Sequence, residues 1–155
     1  MHRVGLALAL LLATGAAASA NDTFKQLAGN WRGGGTLDFA NGAHERVNCR
    51  AAYDVKGGSN LQLTIRCASE SYRIDLVGNA QESNGRVTGT WTEASRNVGG
   101  QLSGTAQGNS VRVVASSPVY TASLGLTTQG AKQSVSIRSQ DPQSQIRGAT
   151  LSLSR

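Results

Sequence analysis

The two cysteines of this sequence are the residues whose spacing defines their chemistry most sharply. Between Cys49 and Cys67 lies the turn cluster Lys56-Gly57-Gly58-Ser59-Asn60, whose small residues favour chain reversal. A hairpin folded about this cluster sets the two cysteines directly opposite each other. The Cα atoms of such a cross-strand pair approach to roughly 4.5 to 5.5 Å, which a disulfide can span. The spacing therefore predicts a Cys49–Cys67 disulfide with a structural role.

Arginine side chains gather on the polar face of the same hairpin. The predicted register sets Arg50 beside Arg66 and, across the next turn, Arg66 beside Arg73. Like charges opposed across strands are unfavourable, so the row needs acidic neighbours, solvent or a bound anion. Guanidinium groups bind phosphate or sulfate through paired donors. One hypothesis is an anion-binding site, and the alternative is a solvated face on which Asp54 and Asp75 relieve the repulsion between the arginines.

Aromatic side chains fall on the apolar face of the predicted strands, interleaved with glycines that would remove side-chain volume. An aromatic inner face of this kind suits a small apolar or aromatic ligand, while the alternative is that the rings only fill the interior. The predicted ligand-binding residues are Trp31, Tyr53, Tyr72 and Trp91.

The sequence lacks the residue sets that catalysis and metal binding require. After residue 20, His44 is the single histidine, and the predicted register places it in a turn as a solvated side chain. Cysteine or histidine pairs at metal-ligand spacing are absent, and no serine stands out as a nucleophile because none has a positioned histidine or lysine base. We therefore predict no enzymatic activity, no metal and no cofactor, leaving open a carboxylate pair that folding could assemble.

These side chains must be positioned by strands. From Gly29 onward apolar and polar residues alternate with a period of two, which is typical of a half-buried β-strand. Pairing Leu37 with Val47 across the Asn41-Gly42 turn would place Trp31 beside Tyr53.

The same register would set Asp38 opposite Arg46. In the following hairpins, Tyr72 would fall opposite Cys67, and the Asn84-Gly85 turn would pair Gly78 with Trp91.

Further alternating segments separated by turn residues continue to the end of the chain. Eight to ten consecutive antiparallel strands with short connections predict an all-β up-and-down meander, and such a meander loses its two open edges by closing into a barrel. A two-sheet β-sandwich is the alternative. We expect one barrel domain over residues 29–155, preceded by residues 21–28, where Phe24 and Leu27 have helical spacing.

The N-terminal segment predicts the destination of the protein. Met1-His2-Arg3 precedes an apolar run from Val4 to Ala13, and Ala18-Ser19-Ala20 follows, as in a secretory signal peptide cleaved after Ala20. We expect a soluble, monomeric periplasmic or secreted product that is not integral to a membrane. Export to an oxidising compartment also accounts for a disulfide. The net charge of +6 favours anionic partners such as an envelope polymer, and no nucleic acid is expected.

The two ends of the chain carry a resemblance to a known group. Gly29-Asn30-Trp31 in the first strand, with Arg147 and Arg155 in the last, resembles the calycin group of lipocalins and avidins. In that group a first-strand tryptophan packs beneath a late arginine, so the resemblance implies a small calycin-like barrel. Small exported barrels with one disulfide also resemble bacterial periplasmic inhibitors of proteases and lysozyme.

Two functions follow as expectations. The first is a binding module for a small apolar or aromatic ligand inside the barrel. The second is a periplasmic protein-binding or polyanion-binding factor, such as an inhibitor of a hydrolase, acting through the rim and the basic outer face. The interior volume separates them, because a cavity of about 300 Å³ or more is the usual size of a ligand site.

Overall fold

A computed structural model describes residues 20–155 of the protein, so the predicted signal peptide, apart from Ala20, lies outside the described residues. A short helix, α1 (Ala20–Leu27), precedes ten strands. The strands are β1 (Gly29–Phe39), β2 (His44–Lys56), β3 (Asn60–Ala68), β4 (Arg73–Ser83), β5 (Arg86–Glu93), β6 (Val98–Gln107), β7 (Ser110–Ser116), β8 (Thr121–Gln129), β9 (Lys132–Ser139) and β10 (Ile146–Ser154).

The ten strands form a closed barrel. Each strand is antiparallel to its neighbours in the chain, and β1 also pairs with β10 along a ladder that includes Gly33 opposite Leu153. Closure gives every strand two partners, so the sheet has no unpaired edge. The prediction of an all-β closed up-and-down meander is confirmed, and the two-sheet sandwich is excluded.

The β2–β3 hairpin has the register that its turn cluster predicts. Cys49 lies opposite Cys67, and Tyr53 lies opposite Leu63. Residues of β2 alternate between buried and exposed from Val47 to Asp54, with the apolar side chains inside. The alternation places every second residue of the hairpin in the barrel interior.

The β1–β2 hairpin differs from its predicted register by two residues. Trp31 lies opposite Ala51 instead of Tyr53, and Asp38 lies opposite His44 instead of Arg46. The reason is the loop: the amide of Gly42 donates to the carbonyl of Phe39, so Asn41-Gly42 ends the turn instead of centring it. A shift of two residues keeps every side chain on its predicted face.

The β3–β4 hairpin shows the same kind of shift. The amide of Ser69 donates to the carbonyl of Tyr72, so residues 69–72 form the loop, and Cys67 lies opposite Ile74 instead of Tyr72. Consequently Arg66 lies opposite Asp75 and not opposite Arg73. The predicted row of Arg50, Arg66 and Arg73 is therefore wrong in its third member, while the β4–β5 pairing of Gly78 with Trp91 is confirmed.

Glycines on the inner face mark close approach between strands. A Cβ atom added to Gly33 or Gly35 would overlap a carbonyl oxygen of β10, and one added to Gly89 would overlap a carbonyl oxygen of β4. Only at Gly78 would the added atom meet a side chain, that of Leu63, at 3.2 Å. The interpretation of these glycines as vacated interior volume is thus corrected, because at three of the four positions the next strand occupies the space.

Helix α1 closes one end of the barrel. Phe24 and Leu27 are buried in the main hydrophobic core, and the Thr23 hydroxyl donates to the carbonyl of Gly108, in the β6–β7 turn, at 2.7 Å. Within residues 20–155, no helix combines the length and apolar character that a helical membrane crossing needs. The other end of the barrel, here termed the far end, carries the β1–β2, β3–β4, β5–β6, β7–β8 and β9–β10 loops.

Candidate functional site: an apolar cavity and a basic outer row

The barrel encloses an apolar cavity of about 150 Å³. Its walls come from all ten strands and from Phe24 and Leu27 of α1, and none of the lining residues is charged. The cavity is about half the 300 Å³ that we set as the usual lower size of a ligand site. Its size corresponds instead to a single aromatic ring, since an apolar cavity of about 150 Å³ in another protein stays dry and binds benzene.

Two of the four predicted ligand-binding aromatics line this cavity. Trp91 is 6% exposed, faces Gly78, and donates from Nε1 to the carbonyl of Gln101 at 3.2 Å. Because this bond satisfies the indole N–H, the ring can present an apolar surface to the interior.

Tyr53 is the second aromatic residue of the cavity wall. Its hydroxyl donates to Oε1 of Gln133 at 3.2 Å, and Nε2 of Gln133 donates to the Thr128 hydroxyl at 3.4 Å. Burial raises the pKa of Tyr53 above its ordinary range, so the ring stays neutral. These side chains satisfy one another, which leaves the cavity wall without a free polar group at this point.

Trp31 is not brought to the cavity. Its ring is fully buried next to α1, where Nε1 donates to the carbonyl of Leu27 at 2.7 Å. The guanidinium of Arg155 lies 4.6 Å from the Trp31 ring centroid, and its Nη1 donates to the carbonyls of Gln26 and Ala28. A tryptophan beneath a late arginine is the feature on which the calycin resemblance rests, and Arg155, not Arg147, supplies it.

Tyr72 lies outside the cavity wall, in the β3–β4 loop at the far end. Its ring meets Phe39 edge-on with centroids 6.4 Å apart, and the guanidinium of Arg96 lies 4.0 Å from the Tyr72 centroid. Phe39, Tyr72 and Tyr120 are half-buried and belong to loops or strand ends of the far end. These aromatics form a rim above the cavity.

The rim is held by a buried carboxylate. Glu93 is 8% exposed, and its carboxylate accepts hydrogen bonds from the backbone amides of Asp75 and Arg96, both at 2.9 Å. The carboxylate also forms an ion pair with Nη1 of Arg96 at 3.2 Å. Burial acts to raise the pKa of Glu93, but the hydrogen bonds from Ser95, Asp75 and Arg96 outweigh it and hold the pKa below its ordinary value. Glu93 therefore stays charged and fixes Arg96 against Tyr72.

A second loop of the far end is fixed in a similar way. The Ser69 hydroxyl donates to Glu45 Oε2 at 2.6 Å, and the Ser71 hydroxyl donates to Glu45 Oε1. These bonds lower the pKa of Glu45 below its ordinary value. His44, predicted in a turn, is instead the first residue of β2 and contacts Asp38 Oδ1 through Nδ1 at 2.8 Å.

The disulfide is present between Cys49 and Cys67, whose Cα atoms are 4.1 Å apart. Both cysteines are buried and line the cavity wall. Among residues 20–155, no cluster of histidine, cysteine, aspartate or glutamate side chains could hold a metal ion.

The predicted arginines lie on the outer face, and the structure changes the membership of their row. Arg32 of β1 lies directly opposite Arg50, and Arg50 lies directly opposite Arg66. Arg73 lies opposite Ala68, two residues away from the row. The row is therefore Arg32–Arg50–Arg66, with Asp75 beyond Arg66.

Sequence reasoning missed three residues that contribute to these features. Arg32 would have been found with the correct β1–β2 register, because it is an outward residue of the same alternating strand. Glu93 is the last residue of β5 and Arg96 lies in the β5–β6 connection, and their ion pair holds the Arg96 guanidinium against the Tyr72 ring. No spacing in the sequence indicates that contact, because Tyr72 and Arg96 belong to two different loops, β3–β4 and β5–β6, which the pairing of β4 with β5 brings together.

Comparisons with known proteins place the fold but not the function. No family model matches the chain, and no curated protein matches it. Among solved structures, Rv2717c from M. tuberculosis aligns with a TM-score of 0.70 at 14% identity, covering 90% of this chain and 98% of that one. The S-type phycobiliprotein lyase CPES from Guillardia theta aligns with a TM-score of 0.59 at 13% identity, covering 88% and 91%.

A redesigned β-barrel, mFAP1, solved with bound DFHBI, aligns with a TM-score of 0.51 at 13% identity and covers 86% of this chain and 98% of that one. At these identities the likeness concerns the fold alone. All three structures are small calycin-like barrels, which confirms the resemblance suggested by the two ends of the sequence and assigns the chain to no specific family.

Proposed function

We propose that this protein is an exported binding barrel that holds one small apolar or aromatic group, about the size of a single ring, in its interior. The observation that carries the proposal is the cavity of about 150 Å³ whose lining residues include no charged side chain. The hydroxyl of Tyr53 and the indole N–H of Trp91 already have protein partners. A ligand therefore gains affinity from apolar contact, at about 25 cal/mol per Å² removed from water.

The far end is the entry in this proposal. The rim aromatics Phe39, Tyr72 and Tyr120 are half-buried, whereas the opposite end is closed by Phe24 and Leu27 of α1. Aromatic side chains at a loop-bearing end can rotate more readily than a helix can leave its core. Tyr72 thus has a role at the entrance and Tyr53 and Trp91 in the wall.

Two further observations support the proposal. The barrel fold is shared with a protein solved with bound DFHBI and with a phycobiliprotein lyase. The Cys49–Cys67 disulfide favours an oxidising compartment, as the proposed signal peptide cleaved after Ala20 does. We place the protein in the periplasm or outside the cell on these grounds.

The experiment uses toluene as a single-ring probe. Toluene should raise the thermal unfolding midpoint of the wild-type protein, because it binds the folded state only. Ala115 lines the cavity, so Ala115→Leu should fill much of it and abolish the toluene-induced shift. Ala52 is exposed on the outer face, and Ala52→Leu, the matched control, should keep the shift.

Fluorescence locates the probe. Toluene should change the tryptophan emission of the wild-type protein, and Trp91→Phe should remove this change. Trp31→Phe should keep it, because Trp31 lies away from the cavity. If Ala115→Leu does not fold, the smaller substitution Ala115→Val takes its place and should weaken toluene binding partially. An equal toluene response in wild type, Ala115→Val and Ala115→Leu would contradict an interior site.

A further inference from the structure

Three arginines stand side by side on the outer face of the barrel. Arg32, Arg50 and Arg66 occupy directly opposed positions on the consecutive strands β1, β2 and β3, and all three are exposed. Neighbouring strands lie roughly 4.8 Å apart, so the row extends over about 10 Å. This basic row is independent of the interior cavity because its side chains point away from it.

The basic row is incompletely neutralised. Arg66 Nε pairs with Asp75 Oδ1 at 3.4 Å, and Asp54 pairs with Lys56 instead of joining the row. Within the described part of the chain, Arg32 and Arg50 have no carboxylate within ion-pair distance. Directly opposed like charges are destabilising, so the central residue, Arg50, carries an unfavourable contact on each side.

The row borders a groove whose floor consists of small or uncharged residues. The outward residues of the next register position are small or uncharged: Gly34 lies opposite Asn48, and Asn48 lies opposite Ala68. Arg73, opposite Ala68, adds a fourth positive charge at the end of this floor. The four arginines line an open groove of about 720 Å³ together with Asn48 and Ala68 of the floor and with Asp75, the partner of Arg66.

The disulfide supports the geometry of the groove from inside the barrel. Cys49 directly precedes Arg50 and Cys67 directly follows Arg66, so the bond ties together the two strand positions that carry these arginines. A cross-link at this point holds the two arginines in register before any ligand arrives, which reduces the cost of binding.

We infer that this groove binds a ligand carrying two or more phosphate groups, presented along the row of Arg32, Arg50 and Arg66. A phosphate carries more charge than a carboxylate and accepts paired donors from guanidinium groups. A single phosphate reaches two adjacent arginines, whereas a short chain of phosphates can engage the whole row and Arg73. The phosphate can belong to a free oligophosphate or to a lipid headgroup.

The experiment titrates the protein with tripolyphosphate by calorimetry, comparing wild type with Arg50→Gln. We expect Arg50→Gln to weaken binding about tenfold or more, because each charged hydrogen bond contributes on that scale. The matched control is Arg112→Gln, which removes an exposed charge from β7, away from the groove, and should change the affinity less than about twofold. Without ligand, Arg50→Gln should raise the thermal midpoint by relieving repulsion.

A second arm identifies the source of the phosphate. Vesicles of equimolar phosphatidylcholine and phosphatidic acid replace tripolyphosphate, with the same variants and with Arg32→Gln as a further member of the row. The site is supported if binding to one of the probes weakens in both row variants and persists in Arg112→Gln. The probe that shows this pattern identifies the source of the phosphate. Binding that is equal in wild type and the row variants for both probes, or that falls equally in Arg112→Gln, overturns the site.

Discussion

At the scale of single residues, Arg155 connects the helix to the barrel. Its guanidinium covers the Trp31 ring at 4.6 Å and donates to the carbonyls of Gln26, at 3.0 Å, and Ala28, at 2.6 Å. The two carbonyls lie at the C-terminal end of α1, where a cation also interacts favourably with the exposed carbonyl groups. One side chain therefore joins the last strand, the first strand and the helix.

We predict that Arg155→Ala lowers the free energy of unfolding by roughly 1 to 2 kcal/mol, the combined scale of an exposed cation–π contact and charged hydrogen bonds. Urea unfolding monitored by circular dichroism measures the change. Arg147 is exposed on β10 and serves as the control, with an expected effect of Arg147→Ala within about 0.5 kcal/mol. Equal losses for the two variants would remove the special role of Arg155.

At the scale of elements, the β2–β3 hairpin carries features of both candidate sites. Its inner face contributes Tyr53, Cys49 and Cys67 to the cavity wall, and its outer face contributes Arg50 and Arg66 to the basic row. The alternation of a β-strand separates these two chemistries onto opposite faces. The hairpin is thus the part of the barrel where interior and surface sites share one rigid support.

The disulfide should stabilise this hairpin and with it the barrel. Cys49 and Cys67 are 18 residues apart, and in the chain-entropy model closing a loop of this length stabilises the fold by about 3 kcal/mol. The double variant Cys49→Ala/Cys67→Ala should lose a comparable free energy of unfolding in urea while retaining the toluene-induced thermal shift. The reduced wild-type protein should unfold close to the double variant; no difference between oxidised and reduced protein would refute the prediction.

At the scale of the whole molecule, closure of the barrel depends on close strand contacts. A Cβ atom added to Gly100 would overlap the carbonyl oxygen of Ser116, whereas one added to Gly125 would meet no atom within 4 Å. Both glycines lie inside strands, so they differ in the space around them and not in their secondary structure. Glycines of the first kind let β6 and β7 coil together tightly enough to close the sheet.

This difference predicts opposite outcomes for one kind of substitution. Gly100→Ala should lower the free energy of unfolding by about 1 to 3 kcal/mol, because the new methyl group displaces a neighbouring backbone. Gly125→Ala should be neutral or stabilising by up to about 1 kcal/mol, because it reduces the freedom of the unfolded chain. Thermal and urea unfolding of the two variants test the pair, and a neutral Gly100→Ala would show that the strand contact yields easily.

The sequence by itself determined which face each residue occupies and where two of the hairpins turn. In β2–β3 and β4–β5 the glycine-containing turns define the pairing, so the Cys49–Cys67 and Gly78–Trp91 pairs could be predicted. A period-two pattern is a local property, which explains why the β-strand fold and the inward positions of Trp31, Tyr53 and Trp91 were also predictable, whereas Tyr72 lies in a loop. The loops after β1 and β3 allowed two registers with identical faces, and the pattern could not choose between them.

Only the tertiary structure decided the features that depend on distant strands. The register after β3 paired Arg66 with Asp75, and that after β1 brought Arg32 beside Arg50. The size of the cavity depends on how ten strands coil and where side chains from opposite walls meet, so a volume of about 150 Å³ could not be read from alternation. Likewise, Arg155 could be singled out from the sequence, but its contact with Trp31 exists only because closure sets the end of β10 beside the start of β1.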